Sequence, residues 1–472
     1  MLSIRPTSRV IEILHRNNPE NGVESITSSL KKKITKEVIR MGLPSMASFM
    51  LMTVYDLTDT FWLAKLGPEP VAAVTVFGAL IWILTFPNQV IGAGSVAIIS
   101  RRFGAGDLAM TERAIKGTFV SKFAVGTGLG LIGLLITPWM MVLLGAEPDV
   151  AKLAVDYGII QCIVLGFQLA SFSVYTALRG IGRPAAGMWI SVAGTIVNVV
   201  MDPLLIFGIG PFPEMGIVGA SIASALGFIT VCAVGMIALS RKDSPLQVNW
   251  FGGVKPNVPE MVKMFRIGFP AGLNSLSFAL MMSVRVKLFA LYGTNAVALY
   301  GMSMKIMRVG VMVIVGLGLG TGALIGQYLG AKKLNHAWVS AMSAVQLAAG
   351  SMLVVAVVLI IFAPQVVKVF FSDPELLIPG IFYLKMMAIG LPLVGVIIQA
   401  ENAYSGAGMN VPPMIIGMTI DWGMIIPIMY VAGVTLNYGP DGMLVGWVIA
   451  LTLGALVLLA AVRRGSWLEH NV

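Results

Sequence analysis

The stretch GLPSMASFMLMTVYDLTDTFWLAKLGPEPVAAV, from Gly42 to Val74, decides the fold because it occurs twice. It returns as GFPAGLNSLSFALMMSVRVKLFALYGTNAVALY, from Gly268 to Tyr300. The offset is 270 − 44 = 226 residues, without a gap. Arg40/Arg266, Gly42/Gly268, Pro44/Pro270, Gly67/Gly293 and Gly94/Gly320 match, and the register still holds at Gly180/Gly406 and Gly182/Gly408. One register kept over that distance marks an internal duplication. The copies differ in chemistry: Asp56 and Asp59 of the first stand opposite Met282 and Arg285 of the second.

Composition names the solvent. Of 472 residues, 57% are hydrophobic and 11% charged. A soluble domain carries roughly 25% charged residues, so this surface faces lipid. Cys162 and Cys232 both sit in apolar runs and offer neither a disulfide framework nor metal spacing. His15, His336 and His470 all lie outside those runs. A membrane-embedded enzyme would need a metal cluster or a Ser–His set at matching depth, and no His or Cys is placed to build one. We therefore expect no enzyme and no cofactor. The net charge of +10 reads as the positive-inside bias of a membrane protein and not as a nucleic-acid surface.

Apolar runs of about 20 residues or more can cross a bilayer. The first copy predicts spans at 37–64, 70–99, 113–140, 151–178, 184–208 and 214–240. The second predicts 261–292, 296–325, 337–363, 375–404, 410–434 and 440–463. The fold class is thus an all-α integral membrane protein of twelve transmembrane helices in two six-helix lobes. The expected organisation is a cytoplasmic N-terminal segment 1–35, a first lobe 36–240, a cytoplasmic linker 241–260, a second lobe 261–463 and a cytoplasmic tail 464–472. Arg101, Arg102, Arg179, Arg183, Arg241, Lys242, Lys332 and Lys333 fall in loops on one side. Glu69, Glu147, Asp149, Glu214, Asp373 and Asp441 fall on the other. Both termini come out cytoplasmic. Six is even, so the copies point the same way, and their pseudo-twofold axis is expected along the membrane normal.

Ionisable residues inside the membrane are costly and are functional candidates by default. Asp56 and Asp59 are one turn apart on the first span, and two carboxylates there cannot both stay charged without a cation. On the fifth span, Asn198 precedes Asp202 by four residues on one face. Pro203 has no N–H, so the Val199 carbonyl loses its helical partner. Hard oxygens of this kind suit a dehydrated Na⁺, with Asp59, Asp202 and Asn198 as its ligands, or a proton shared between carboxylates. The competing reading is two locally neutralised structural acids.

The second copy has the opposite sign. Arg285 replaces Asp59, Lys305 and Arg308 share a face of the eighth span, and Lys385 lies within the tenth; Glu401 and Asp421 are the acids there. One reading is a structural pair of the Asp421–Arg308 type. The sharper one is a cavity wall that receives an anionic or zwitterionic part of a substrate.

Several pieces together give the chain a family likeness: LGPEPVAAV (Leu66 to Val74), RRFGAGD (Arg101 to Asp107), ALRGIGRP (Ala177 to Pro184), NVVMDP (Asn198 to Pro203) and GIVGASIAS (Gly216 to Ser224). From about Lys36 to Arg464 the chain resembles the multidrug and toxic compound extrusion (MATE) transporters, most of all the DinF-like branch with first-lobe acids on helices 1 and 5. The resemblance implies an antiporter that exports amphiphilic compounds in exchange for Na⁺ or H⁺ by alternating access. Asp59 and Asp202 match its coupling acids, Asn198 its cation-site amide and Ser224 a helix 6 hydroxyl. Pro44 matches the proline at which helix 1 bends. Phe172 and Tyr175 stand where the branch carries helix 4 asparagines, and Asp56 where relatives carry a neutral amide. We accordingly expect cation coupling at Asp59, Asp202, Asn198, Ser224 and Asp56. The expected substrate cavity includes Arg285, Lys305, Arg308, Lys385, Glu401, Asp421 and Tyr175. The expected setting is the lipid bilayer of the cell (inner or plasma) membrane, with the protein a monomer, amphiphilic small molecules as partners and no nucleic acid. A flippase for lipid-linked saccharides is the alternative within the same superfamily.

Overall fold

The computed structural model describes Val10 and residues 28–252, 255, 257–371 and 373–470. Most of the expected segment 1–35 lies outside the described residues, as do residues 253, 254 and 256 of the linker. Twelve helices are long and apolar enough to cross a membrane. Those of the first copy are α1 (Ser28–Ala64), α2 (Pro68–Gly104), α3 (Leu108–Leu143), α4 (Pro148–Gly180), α5 (Pro184–Ile206) and α6 (Gly216–Ser240). The second copy contributes α7 (Val258–Ala290), α8 (Thr294–Gly330), α9 (Leu334–Ile361), α10 (Pro374–Gly406), α11 (Val411–Thr435) and α12 (Gly439–Arg463). No strand occurs among the described residues.

Each expected span falls on one of these helices, and most helices run a turn or so beyond it. The extra turns follow from the caps. Pro68 opens α2, where its missing N–H has no helical partner to lose. Gly106 ends the turn after α2 at φ 78°, a conformation glycine adopts freely. The Asp107 carboxylate then accepts the Met110 N–H at 3.0 Å and starts α3. Large apolar side chains stand outward on α3, with Leu135 82% exposed, as lipid permits and water would not. In α11 the helix widens to π geometry at Thr419–Ile425, around Asp421, and again at Val431–Thr435.

The chain packs as two compact units, Ala47–Phe269 and Met1–Met46 with Pro270–Val472. This division by packing falls inside α1 and α7, just past Pro44 and just before Pro270. Close glycine packing is the reason. A Cβ on Gly320 of α8 would come 2.5 Å from the Met41 carbonyl oxygen, and one on Gly316 would come 2.5 Å from the Met46 Cα. The first half of α1 therefore lies directly on α8. In the other unit, a Cβ on Gly94 of α2 would overlap the Met264 carbonyl oxygen, and one on Gly268 would overlap that of Val90. So the first half of α7 lies directly on α2. Backbones in contact at this distance pack tightly without any hydrophobic drive. A boundary drawn from polar loops does not register them. The Arg102–Glu260 ion pair adds to the α2–α7 attachment, and the Tyr328 hydroxyl donates to Glu37 on the α1–α8 side.

Behind α3 the linker is tied down. Lys116 Nζ donates to the Gly252 carbonyl at 2.6 Å and pairs with Glu112 Oε1 at 2.8 Å. Glu112 also accepts the Asn249 N–H at 3.0 Å, and Trp250 packs on Phe119 with ring centroids 5.2 Å apart. Lys116→Met should remove a hydrogen bond from a charged donor to the exposed Gly252 carbonyl, worth about 1.5–3 kcal/mol. Hydrogen exchange of residues 247–252 should then run roughly tenfold faster or more, with α3 itself protected as before.

The core of the Ala47–Phe269 unit gathers Leu63, Phe77, Leu80, Leu84, Leu165 and Leu169 from three helices. These fix the depth of Asp59 on α1, four residues before Leu63.

Candidate functional site

Three helices bring acid, amide and hydroxyl together inside the Ala47–Phe269 unit. Asp59 is 6% exposed, and Asp202 and Asn198 are fully buried. One turn of α5 separates Asn198 from Asp202, so Asn198 Nδ2 donates to Asp202 Oδ1 at 3.3 Å. The Asp59 carboxyl reaches across from α1 into hydrogen-bonding contact with that of Asp202. Ser224 of α6 is the hydroxyl partner of both Tyr55 and Tyr157, and both phenols lie within reach of the Asp59 and Asp202 charges. Behind them, Gln161 Nε2 donates to Ser221 Oγ at 3.1 Å, and Ser221 Oγ donates to the Tyr157 carbonyl at 2.8 Å. That pair fixes α4 against α6.

The charge balance is unfinished. No ion pair among the described residues reaches Asp59 or Asp202. No donor among them reaches Asp59 Oδ1, Asp202 Oδ2 or Asn198 Oδ1. Buried carboxylates in contact require a proton between them or a small cation beside them. The three free oxygens are hard ligands of the type that such a cation takes.

Asp59 opens onto a cavity of about 290 Å³. Asp56, Tyr55, Phe172, Tyr175, Phe228 and Ser224 also line it, while Asp202 and Asn198 do not. Asp56 is exposed, so water shares its charge. The walls are aromatic: Phe172 meets Tyr175 edge-on at 6.4 Å, and Tyr55 lies 6.1 Å from Phe228.

The structure thus brings together Asp56, Asp59, Asn198, Asp202, Ser224 and Tyr175 from the sequence-derived set. Tyr55, Tyr157 and Gln161 were not in that set. Tyr55 carried a readable signal, since it lies four residues before Asp59 on the same face. Tyr157 and Gln161 carried none.

The remaining candidates belong to the other unit and are distributed there. Arg285 is 5% exposed, lies 6.0 Å from the Trp447 ring and stands against Tyr300. It is the base whose charge reaches Asp421; no ion pair joins Asp421 to Arg308 among the described residues. Glu401 accepts from Asn274 Nδ2 at 3.1 Å. Lys305 and Arg308 are exposed on α8, and Lys385 is half-buried on α10. Pro44 lies within the continuous helix α1, two residues past Gly42, which meets Leu317 of α8.

A duplicated bundle of twelve membrane helices with an unpaired acid site opening on a cavity defines a membrane transporter. The MatE family model matches residues 44–204 and 270–431, opening at the two prolines of the repeat. The chain belongs to the MatE family, whose members are transporters and not enzymes. Among proteins similar to it is the probable multidrug resistance protein YoeA of Bacillus subtilis (strain 168). The two are 24% identical over 466 residues, which is 96% of this chain and 99% of that one. Another is the multidrug export protein MepA of Staphylococcus aureus (strain MSSA476), 26% identical over 442 residues, 92% of this chain and 94% of that one. The fold is similar to that of the Vibrio cholerae MATE transporter VcmN in its bent form. The TM-score is 0.85 at 20% identity, covering 94% of this chain and 98% of that one.

Proposed function

We propose that this protein is a multidrug exporter of the DinF-like kind. In this reading it expels amphiphilic small molecules in exchange for H⁺ or Na⁺ bound at Asp59 and Asp202. The observation that carries the proposal is the pair of buried carboxylates in contact, with three oxygens that lack a donor, at the edge of an aromatic cavity. Acids at one end and rings along the walls suit an organic cation, which competes with the coupling ion for the same negative charge. Asn198 orients Asp202, and Ser224 orients the two phenols. When the ion binds, the acid site loses its negative charge and its hold on the organic cation. Bending of α1 at Pro44 would then repack the cavity and release the substrate outward, because a proline interrupts the helical hydrogen bonds there. Lys305 and Arg308, exposed on one helix face, are assigned to anionic or zwitterionic parts of substrates. The reading places the protein in the cell membrane as a monomer with both termini cytoplasmic, as the basic loops favour. The names of YoeA and MepA support drug export.

The test is transport of ethidium in proteoliposomes with a pH gradient and a Na⁺ gradient imposed separately. One gradient alone should drive export at least about tenfold above the rate without a gradient. Transport that ignores both gradients would remove antiport from the proposal.

A further inference from the structure

The Ala47–Phe269 unit holds a second set of charges, of the opposite sign, with Lys122 buried and Arg179 half-buried. Asp59 lies near the end of α1 and Tyr175 near the end of α4. Successive helices alternate in direction, so these two positions are toward opposite membrane faces, and both line the cavity. Arg179 is one turn beyond Tyr175 on α4, and its charge is felt there. Facing it from α3 is Lys122, 1% exposed and among the largest fully buried side chains of the protein. Arg179 lies close enough to act on the Lys122 ammonium.

Neither base has a carboxylate partner among the described residues. Of the acids at that end, Glu112, Glu260 and Asp243 are held by Lys116, by Arg102 and by Arg183 with Arg241, and Asp107 caps α3. Arg179 Nε has no acceptor. Apart from Arg179, the groups beside Lys122 named here are neutral: Gly92 of α2 backs its ammonium, and its neighbour Ser121 carries a buried hydroxyl without a partner. Uncompensated bases at this depth, Lys122 buried outright and Arg179 half-buried, are expensive, and an apolar side chain at position 122 would fill the same space at lower cost. Their position explains their presence.

We infer that Lys122 and Arg179 form an electrostatic plug beneath the ion site. They repel a cation that leaves Asp59 and Asp202 in the wrong direction, along Tyr175 and Ser191, and so keep the lobe from leaking. A guanidinium stays charged at any physiological pH, and fixed positive charge excludes cations from narrow polar paths. The inference rests on the cation-exchange reading given above. At an effective dielectric of about 20, a fixed charge within about 10 Å slows the passage of a monovalent cation roughly tenfold.

The test is the leak of ions into proteoliposomes of the full-length protein without substrate, read with an internal pH dye, with radioactive Na⁺ and with a chloride probe. Lys122→Met and Lys122→Gln should each raise the leak of the driving cation roughly tenfold. Lys122→Arg should leave it at the wild-type level, and chloride leak should rise in none of them. Neutral variants as tight as wild type would overturn the plug. So would an equal rise in Lys122→Arg or in chloride, which would mark a packing defect. Should both neutral variants at position 122 fail to fold, Arg179→Gln is read in the same way. If that also fails while Lys122→Arg folds, the charges are structural and the plug falls. An Asp59→Asn protein with full gradient-driven export would remove the exchange site whatever the leak. A tight Lys122→Met beside an inactive Asp59→Asn would remove the plug alone.

Discussion

Asp59→Asn should lower gradient-driven export about a hundredfold, near the upper end of the coupling energies by which one bound species influences another. The substitution conserves shape, so the α1 core around Leu63 and Phe77 is untouched. What changes is the traffic of charge. An asparagine amide at position 59 supplies a permanent donor to the Asp202 carboxyl with which Asp59 is in contact. The site then resembles its protonated form at every pH. It can no longer release a proton, and with one carboxylate it holds Na⁺ poorly. Ethidium binding measured by fluorescence should persist within a few-fold, because the aromatic walls at Tyr55, Phe172 and Phe228 remain. Flux and binding therefore separate. A mutant that retains full flux under an imposed gradient would show that the two buried acids are not where the ion couples.

Gly94→Val should prevent assembly of the folded protein. The new Cβ would overlap the Met264 carbonyl, which is backbone and has no rotamer to escape into. The contact line runs through Val90, Gly94 and Ser95 on α2, against Met264 and Gly268 on α7. Ser95 bonds the Met264 sulfur at 3.6 Å, and Gly268 meets the Val90 carbonyl, so α2 and α7 must part along a whole turn. Overpacking of this kind costs about 3 kcal/mol or more, because no side-chain rearrangement relieves it. The expected readout is loss of the monodisperse peak in detergent and a thermal midpoint too low to measure. Gly128→Val on α3 is the control, since a Cβ there meets nothing within 4 Å. It should fold and transport as wild type does. A stable, active Gly94→Val protein would mean that α7 does not lie on α2 as described.

The buried acid site was legible early for a simple reason. In a chain this apolar, each buried acid stands out, and Asp59, Asn198 and Asp202 stood out by type and by helical spacing. The twelve spans were legible for the same reason, since crossing lipid demands a length and a composition that a hydropathy reading captures directly. Other features depended on which surfaces meet. A tyrosine in an apolar helix is ordinary, so nothing marked Tyr157 until Ser224 of α6 was seen against it. Lys122 was not among the sequence-derived candidates, and its burial shows only in the packing of α3, with Gly92 of α2 against its ammonium. The glycine contacts of α1 with α8 and of α2 with α7 likewise depended on which surfaces meet.

By itself, then, the sequence determined the duplication, the membrane setting and the acids in the first copy, because each follows from residue type and spacing along one dimension. Only the tertiary structure decided that Asp59 meets Asp202, that two phenols join them and that Lys122 lies buried without a carboxylate partner among the described residues. Those are distances between separate helices, and hydropathy carries no information about distance.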